Sequence, residues 1–210
     1  MKILVVVATR SEIAPLLEHF NLSDEDYLIS EDFDVLVTGV GMTATAFALG
    51  QKLSNSYQLI LNLGIAGSFD HTLALGSVVN IHIDQFSELG AEDGENFLPI
   101  DDLGFGQAAY HARNNLLNTQ VTKLKKVTGI TVNTVHGEKN SIQSVSQRLN
   151  PTTESMEGAA VLFCCEKAAI PCLQIRSISN YVTPRDKSQW KIGLAIKNLN
   201  QWAIDFLTNG

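Results

Sequence analysis

Short, almost wholly apolar runs alternate along the chain with segments whose apolar residues recur at helical spacing. The first run, KILVVVA at residues 2–8, is continuous rather than alternating, which is typical of a strand buried on both faces. In the next segment, Ile13, Leu16, Leu17 and Phe20 share one face of an expected helix. The repeated pattern predicts an α/β fold in three layers, with a mixed, mostly parallel central sheet flanked by helices.

The expected elements follow from the same patterns. Helices are predicted at residues 11–20, 42–53, 107–118, 139–149, 156–169 and 189–207. Strands are predicted within residues 2–8, 34–41, 57–69, 76–86, 125–135 and 171–180, and a long polar, Gly-rich loop at 87–103. The chain has no internal repeat and no Pro/Gly-rich linker, so a single domain over residues 1–210 is expected.

Composition excludes several classes of partner. The formal net charge is −7 without a basic cluster, which disfavours binding to nucleic acid or to an anionic membrane. The N-terminal apolar run is too short for a signal peptide, and no segment approaches the ~20 apolar residues of a membrane span. The three cysteines are odd in number and lack metal-ligand spacing, so we expect buried, reduced thiols and a cytoplasmic location.

Ligands of mostly parallel sheets bind beyond the carboxyl ends of the strands, so polar residues at those ends are the candidates. Two of them are carboxylates. Glu12 follows the first strand, and Glu157 precedes a strongly apolar segment. Together they have the residue types for a water-activating base and a stabiliser of positive charge. The alternative is that each is a first-turn helix charge, with Ser155 as the N-cap before Glu157. Sequence spacing alone does not decide whether the two carboxylates meet.

Other motifs are weaker. TGVGMTA at 38–44 resembles a dinucleotide fingerprint, but no acid closes the next strand as that fingerprint requires. NLGIAGS at 62–68 is a second Gly-rich strand end, without the lysine of a phosphate-binding P-loop. The five histidines are scattered, and only His136 lies at a strand end. No metal site and no cofactor are therefore expected.

In this order along the chain, KILVVVATRSEIAPL, TGVGMTATAFAL, NLGIAGSF, SMEGAA and IRSISN resemble the purine nucleoside phosphorylase and nucleosidase superfamily. The resemblance implies hydrolysis or phosphorolysis of a small-molecule nucleoside in a homo-oligomer. It implies that Glu12 activates water, that Glu157 holds the ribose and that Asn180 contacts the purine. The implied substrate-binding residues are Thr38, Gly39, Ala66, Gly67, Val135, His136, Ser155, Met156, Arg185 and Trp190.

Asn180 is the main departure from the adenine-specific nucleosidases, which carry Asp at this position. An amide can donate to purine N7 or to O6 of hypoxanthine, but it cannot transfer a proton as a carboxylic acid can. Together with HIDQFSELGAEDG, TVNTVHG and SNYVTPRDKSQW, Asn180 is similar to the futalosine hydrolase family. That family releases hypoxanthine from futalosine on a route to menaquinone. Arg185, Lys187 and Trp190 have the cations and the aromatic ring to meet the carboxyphenyl group of futalosine; the alternative is a solvated loop with one Trp on a helix face.

Three alternatives stay open. An adenine nucleosidase acting on methylthioadenosine, S-adenosylhomocysteine or aminodeoxyfutalosine is the first. A purine nucleoside phosphorylase is the second; it requires an arginine cluster for phosphate, and the five arginines are scattered in sequence. A non-catalytic nucleotide-binding module is the third, and only the GVGMTA segment supports it.

Overall fold

A nine-stranded, mostly parallel sheet organises the chain. The computed structural model describes residues 2–94, 96–114 and 118–209. The elements are β1 Ile3–Val7, α1 Arg10–His19, β2 Tyr27–Leu28, β3 Phe33–Val37, α2 Met42–Lys52, β4 Leu59–Ser68, β5 Val78–Phe86, β6 Gly90–Asp93, β7 Asn96–Pro99, β8 Ala109–His111, α3 Thr119–Thr122, β9 Lys125–Thr131, α4 Lys139–Leu149, β10 Thr153–Ser155, α5 Gly158–Lys167, β11 Cys172–Tyr181 and α6 Ile192–Asn209. A single 3-10 turn, Lys187–Gln189, precedes α6. The strands of the sheet lie in the order β10-β9-β5-β11-β4-β1-β3-β2, and β8 pairs with β5.

The two faces of the sheet are covered by different helices, which confirms the predicted three-layer fold. Alternate residues of β1 point to opposite faces, as strand geometry requires. Ile3, Val5 and Val7 pack with apolar residues of α1 and α6. Leu4 and Val6 pack on the other face with residues of α2 and α5. The apolar runs therefore lie in the middle layer and leave their polar ends at the sheet edge.

One short strand closes part of the sheet into a ring. β10 pairs in parallel with β9 and antiparallel with the end of β4, where Glu154 lies opposite Gly67. Because β9 also pairs with β5, β5 with β11 and β11 with β4, five strands form a closed circuit. This closure places β10 beside the carboxyl ends of β4 and β11.

The structure corrects two predicted segments. The helix expected at 107–118 is wrong where residues are described, because β8 forms there and pairs with β5; residues 115–117 lie outside the described part of the chain. The predicted loop at 87–103 contains the hairpin of β6 and β7. In both segments the strands are short and partly polar, so local patterning is weak and the pairing partner decides the conformation.

The start of α5 also differs from the prediction. Ser155 was expected as the N-cap of a helix beginning at Met156, but Ser155 belongs to β10 and Glu157 is the N-cap residue. Sheet pairing of β10 with β9 accounts for this difference, since it holds residues 153–155 in extended conformation. The change moves Glu157 from inside the helix to the junction between strand and helix.

β4 continues through the predicted Gly-rich turn as far as Ser68. Gly64 permits a close approach of two side chains at this point. A Cβ atom there would lie 3.1 Å from Glu12 Oε1 and 3.2 Å from Arg176 Nη1. In the described part of the chain, no helix has the length and apolar character needed to cross a bilayer.

Candidate active site

A cavity of about 430 Å³ opens where the carboxyl ends of β1, β4, β10 and β11 meet. Its volume falls within the range of small-molecule sites, about 300–1,000 Å³. The cavity brings together eleven of the residues predicted from sequence: Glu12, Ala66, Gly67, Val135, His136, Ser155, Met156, Glu157, Asn180, Arg185 and Trp190. The first and last of these residues are 178 positions apart in the sequence, so it is the fold that brings them together.

Two predicted residues lie behind the wall of the cavity. The hydroxyl of Thr38 bonds to Val7 O and to Gly39 O, and the backbone N–H of Gly39 donates to Ala8 O. The same turn reaches the cavity through Val40, which lines it. Direct contact of Thr38 and Gly39 with a ligand therefore stays a prediction, while their bonds hold the turn in place.

Glu12 is both a helix-capping residue and a cavity residue. As part of a capping box, its Oε2 accepts hydrogen bonds from Thr9 N and Thr9 Oγ1, both at 3.0 Å. Its Oε1 accepts from Ile65 N of β4 at 3.1 Å. Buried Asn200 of α6 fixes the helix by donating to the backbone carbonyl of Glu12 at 2.7 Å. Three donors therefore orient the carboxylate: Oε2 accepts two hydrogen bonds, while Oε1 accepts one and keeps a further acceptor site.

Arg176 is a buried cation that lies near Glu12 and Glu157. Its side chain is 2% exposed on β11, and Nη1 donates to Asn62 Oδ1 at 3.2 Å and to Ile175 O at 3.2 Å. The close contacts at Gly64 place its guanidinium beside Glu12. Such a charge offsets part of the cost of holding two carboxylates in a half-buried site.

Glu157 lies at the strand–helix junction between β10 and α5. Its Oε1 accepts from Gly41 N at 2.9 Å, across the cavity rim from α2. Burial raises the pKa of Glu157, while the Gly41 hydrogen bond and the charge of Arg176 oppose the rise and the negative charge of Glu12 adds to it. Glu12 and Glu157 are therefore close enough to interact electrostatically, which sequence spacing left undecided.

Asn180, the penultimate residue of β11, also lines the cavity. Its Oδ1 accepts from Ser179 Oγ at 2.8 Å, and its Nδ2 donates to Tyr181 O at 3.1 Å. These two bonds fix which end of the amide carries the donors, and the second N–H of Nδ2 is left for another acceptor. A Cβ atom on Gly67 would lie 3.2 Å from Nδ2, so this glycine keeps the space open.

Glu154 and His136 form a second polar pair in the same cavity. Glu154 is 4% exposed, and its Oε2 lies 2.7 Å from His136 Nδ1 while Oε1 accepts from His136 N at 3.1 Å. Burial raises the pKa of Glu154, and the hydrogen bonds and charge of His136 oppose that rise. The expectation of a histidine near a ligand is thus joined by a carboxylate that sequence analysis did not select.

Three further residues line the cavity. The Oγ atom of Ser155 is buried and has no hydrogen-bond partner among the described residues. Arg185 and Trp190 stand at the outer side, with the guanidinium carbon 5.0 Å from the indole centroid. Arg185 is exposed and makes no ion pair within the described residues, so its charge is accessible from the cavity.

The arginines of the described chain do not form a phosphate cluster in this cavity. Arg10, the one at a strand end, pairs with Asp24 at 3.2 Å and with Asp26 at 2.9 Å. Among the described residues, no group of three or more His, Cys, Asp and Glu side chains is arranged to hold a metal ion.

Two site residues were missed, and one had a usable signal. Arg176 interrupts the apolar run LQIRSIS, and a charged residue inside a buried strand indicates a functional or paired charge. Glu154 had no comparable signal, because its position in the cavity depends on the pairing of β10 with β4.

The profile of the phosphorylase superfamily matches residues 2–207 of the chain. The futalosine hydrolase of Streptomyces coelicolor is 31% identical over 180 residues, which cover 81% of this chain and 77% of that protein. The 5'-methylthioadenosine/S-adenosylhomocysteine nucleosidase of Colwellia psychrerythraea is 30% identical over 73% of this chain and 68% of that protein. Both relatives thus align over most of their length.

Solved structures share the fold. The Colwellia psychrerythraea nucleosidase in complex with adenine superposes with a TM-score of 0.78 over 99% of this chain and 95% of that one, at 21% identity. At this identity the likeness establishes the fold, and it agrees with the mixed sheet and flanking helices described above.

Proposed function

Because the chain belongs to the phosphorylase superfamily, we propose that it hydrolyses the N-glycosidic bond of futalosine and releases hypoxanthine. The observation that carries the proposal is the convergence of Glu12, Glu157 and Asn180 on one cavity at the strand ends. We call the part around Glu12, Met156 and Glu157 the ribose end. We call the part around Ala66, Gly67, Glu154 and Asn180 the base end.

Bond cleavage follows a dissociative course at the ribose end. The C1′–N9 bond breaks, its electron pair leaves with the base, and the sugar becomes an oxocarbenium-like cation. Glu12 orients a water molecule and accepts its proton as the water oxygen bonds to C1′. The three donors around Glu12 hold its carboxylate in place for this step, which limits the reorganisation needed.

Glu157 binds ribose hydroxyls and stabilises the developing positive charge. Its fixed bond to Gly41 N leaves the other carboxylate oxygen for the sugar. Met156 packs beneath the ring, and the unpartnered hydroxyl of Ser155 is available for a substrate hydrogen bond. A negative charge held close to the reacting carbon lowers the barrier more than it strengthens ground-state binding.

Asn180 assists departure of the purine. The free N–H of its amide donates to N7 or O6 of hypoxanthine, where the negative charge of the leaving base accumulates. Ala66 and Gly67 line the base end with backbone and little side chain, which suits a flat ring. The amide makes a 6-oxopurine the better leaving group here than adenine, whose amino group offers a second donor.

Water is the nucleophile in this proposal because the cavity lacks a phosphate cluster. Arg10 pairs with two aspartates, Arg176 donates through Nη1 to carbonyl oxygens, and neither residue lines the cavity. Phosphate recognition by phosphorylases needs several convergent cations or bidentate arginines. Arg185 is the one arginine of the described chain that lines the cavity, and we assign it to the carboxyphenyl group of futalosine, with Trp190 as the aromatic neighbour.

We further propose one domain over residues 1–210, a cytoplasmic location and a homo-oligomer. All three cysteines are free, which suits a reducing compartment. Val40 and Phe47, on or just before α2, are 56% and 68% exposed, and Leu89 before β6 is 40% exposed. Exposed apolar side chains of this size support a contact with a second copy of the chain. Light scattering coupled to size-exclusion chromatography would measure the molar mass in solution, and a mass equal to one chain would contradict the homo-oligomer.

The test is base release in phosphate-free buffer, with futalosine, inosine and methylthioadenosine offered separately and products separated by chromatography. Hypoxanthine from futalosine is the expected product, and Glu18→Gln is a matched control on the exposed face of α1. Adenine from methylthioadenosine instead would assign the chain to the adenine nucleosidases. Turnover only after phosphate is added would indicate a phosphorylase, and tight nucleotide binding without base release a binding module.

A further inference from the structure

The base end contains a buried carboxylate that the proposed mechanism does not use. Glu154 is 4% exposed and lines the cavity rather than the apolar core. A carboxylate is costly to bury unless it is paired or has a ligand to accept from. His136 supplies one side of that pairing, through Nδ1 at 2.7 Å and the backbone N–H at 3.1 Å.

The sheet places Glu154 next to Asn180. Glu154 lies opposite Gly67 in the antiparallel pairing of β10 and β4. A Cβ atom on Gly67 would lie 3.2 Å from Asn180 Nδ2 and 3.6 Å from Glu154 Cγ. An amide donor and a carboxylate side chain therefore flank the same small patch of backbone at Gly67, and both line the cavity.

We propose that Glu154, oriented by His136, accepts the N1–H hydrogen bond of a 6-oxopurine while Asn180 donates to the adjacent O6 or N7 edge. The inference rests on the proposed function and deepens it, because it makes Glu154 a second residue, beside Asn180, that selects the base. Each carboxylate oxygen has two acceptor sites, and His136 occupies one on each, so acceptor sites remain for the ligand.

Chemical complementarity gives the selectivity. A 6-oxopurine carries a donor at N1 beside an acceptor at O6, and a 6-aminopurine carries the reverse pattern. With adenine in the site, the N1 lone pair faces the carboxylate and neither group is satisfied. A buried polar group left unpaired is the strongest form of discrimination available to a site of this kind.

A structural role for Glu154 makes a different prediction. If the His136 pair only anchors the loop before α4, its loss weakens the fold and affects every substrate alike. If Glu154 reads the base, its loss changes the ratio between 6-oxo and 6-amino bases. That ratio is the readout of the experiment.

The test compares Glu154→Gln with the wild type and with Glu92→Gln, an exposed carboxylate on β6. Affinities for free hypoxanthine and free adenine are measured by calorimetry, and kcat/KM is measured for a hypoxanthine and an adenine nucleoside. The glutamine keeps the shape and can still accept from His136. We expect hypoxanthine affinity and turnover to fall about 10- to 100-fold while adenine values change little.

A second variant, His136→Gln, removes the Nδ1 donor but keeps the backbone N–H. We expect base preference to shift in the same direction but by a smaller factor, because the carboxylate of Glu154 remains but is less firmly oriented. Equal losses for both bases in both variants, or a lower melting temperature with an unchanged ratio, would overturn the assignment of Glu154.

The experiment distinguishes an error in the proposed function from an error in the role of Glu154. If the wild type releases hypoxanthine and Glu154→Gln keeps its base ratio, the role of Glu154 is wrong and the function stands. If the wild type binds and releases adenine in preference to hypoxanthine, or binds neither base, both are wrong.

Discussion

The ribose end and the base end of the cavity each hold acidic side chains, but their surroundings differ. Glu12 is surrounded by donors that belong to backbone and to a neighbouring threonine, and a buried arginine stands close by. Glu154 is paired with a histidine, and the neutral amide of Asn180 lies on the same patch at Gly67. Charge stabilisation dominates at the ribose end, whereas a donor–acceptor pattern dominates at the base end.

Under the proposed function, this difference separates the groups that set the reaction rate from the groups that select the substrate. A cationic transition state is favoured by negative charge held in a fixed position, and its stabilisation does not depend on the purine. Recognition of the purine depends on the direction of each hydrogen bond. Changes at the ribose end should therefore lower all turnover, and changes at the base end should alter preference.

The largest effect is expected at the ribose end. Glu12→Gln keeps the shape of the side chain but removes the carboxylate that we propose activates water, so we expect turnover of every nucleoside to fall about 1,000-fold with KM nearly unchanged. Steady-state kinetics on futalosine and inosine measure this. Glu18→Gln, on the same helix but exposed, is the control and should retain full activity. Near-normal turnover of Glu12→Gln would remove the distinction between the two ends.

At the base end, Asn180→Asp puts a second carboxylate beside Glu154 and removes the N–H that faces O6. We expect hypoxanthine release to fall about 100-fold, with a smaller loss or a gain for adenine release, because a protonated Asp can serve N7 of adenine. Competition between the two nucleosides in one reaction measures the preference. An unchanged preference would mean that Asn180 does not read the base.

A smaller, substrate-dependent effect is expected at the outer wall. Arg185→Ala removes an accessible cation above Trp190, so we expect KM for futalosine to rise about 10-fold and KM for inosine to stay constant. Lys187→Ala is the matched control, because Lys187 is exposed and, unlike Arg185, does not line the cavity. Equal changes for futalosine and inosine would rule out a contact with the 5′ substituent.

The last prediction concerns the support behind the ribose end. Asp84 is fully buried, accepts from Thr131 Oγ1 at 2.9 Å and from Gln174 Nε2 at 2.7 Å, and Thr131 in turn accepts from Ala159 N in the first turn of α5. Burial raises the pKa of Asp84 to about 6, against the hydrogen bonds of Gln174 and Thr131.

Because the folded-state pKa of Asp84 is the higher one, the native state binds this proton more tightly than the unfolded chain. Its contribution to the free energy of unfolding is present below about pH 4 and is lost as the pH rises through about 6, a difference of about 3 kcal/mol. Asp84→Asn should remove this dependence. Urea unfolding of both proteins from pH 4 to 7 measures it, and parallel curves would contradict the prediction.

Much of the fold was determined by local sequence. Continuous apolar runs gave the buried strands, because a strand covered on both faces needs apolar residues at every position. The helix predicted at 139–149 has those bounds in the structure. Glu12, Glu157 and Asn180 were identified because each follows or precedes such an element, and parallel strands bring their carboxyl ends to one edge.

Tertiary structure alone decided the closure of the strand ring, and with it the place of Glu154. β10 is three residues long, β8 is three residues long, and the hairpin strands β6 and β7 are four each, so their own patterns are too short to specify a partner. Pairing between residues far apart in sequence fixed their conformation. Periodicity reports which face of an element is buried, whereas the neighbours of a side chain depend on register and packing across the whole sheet.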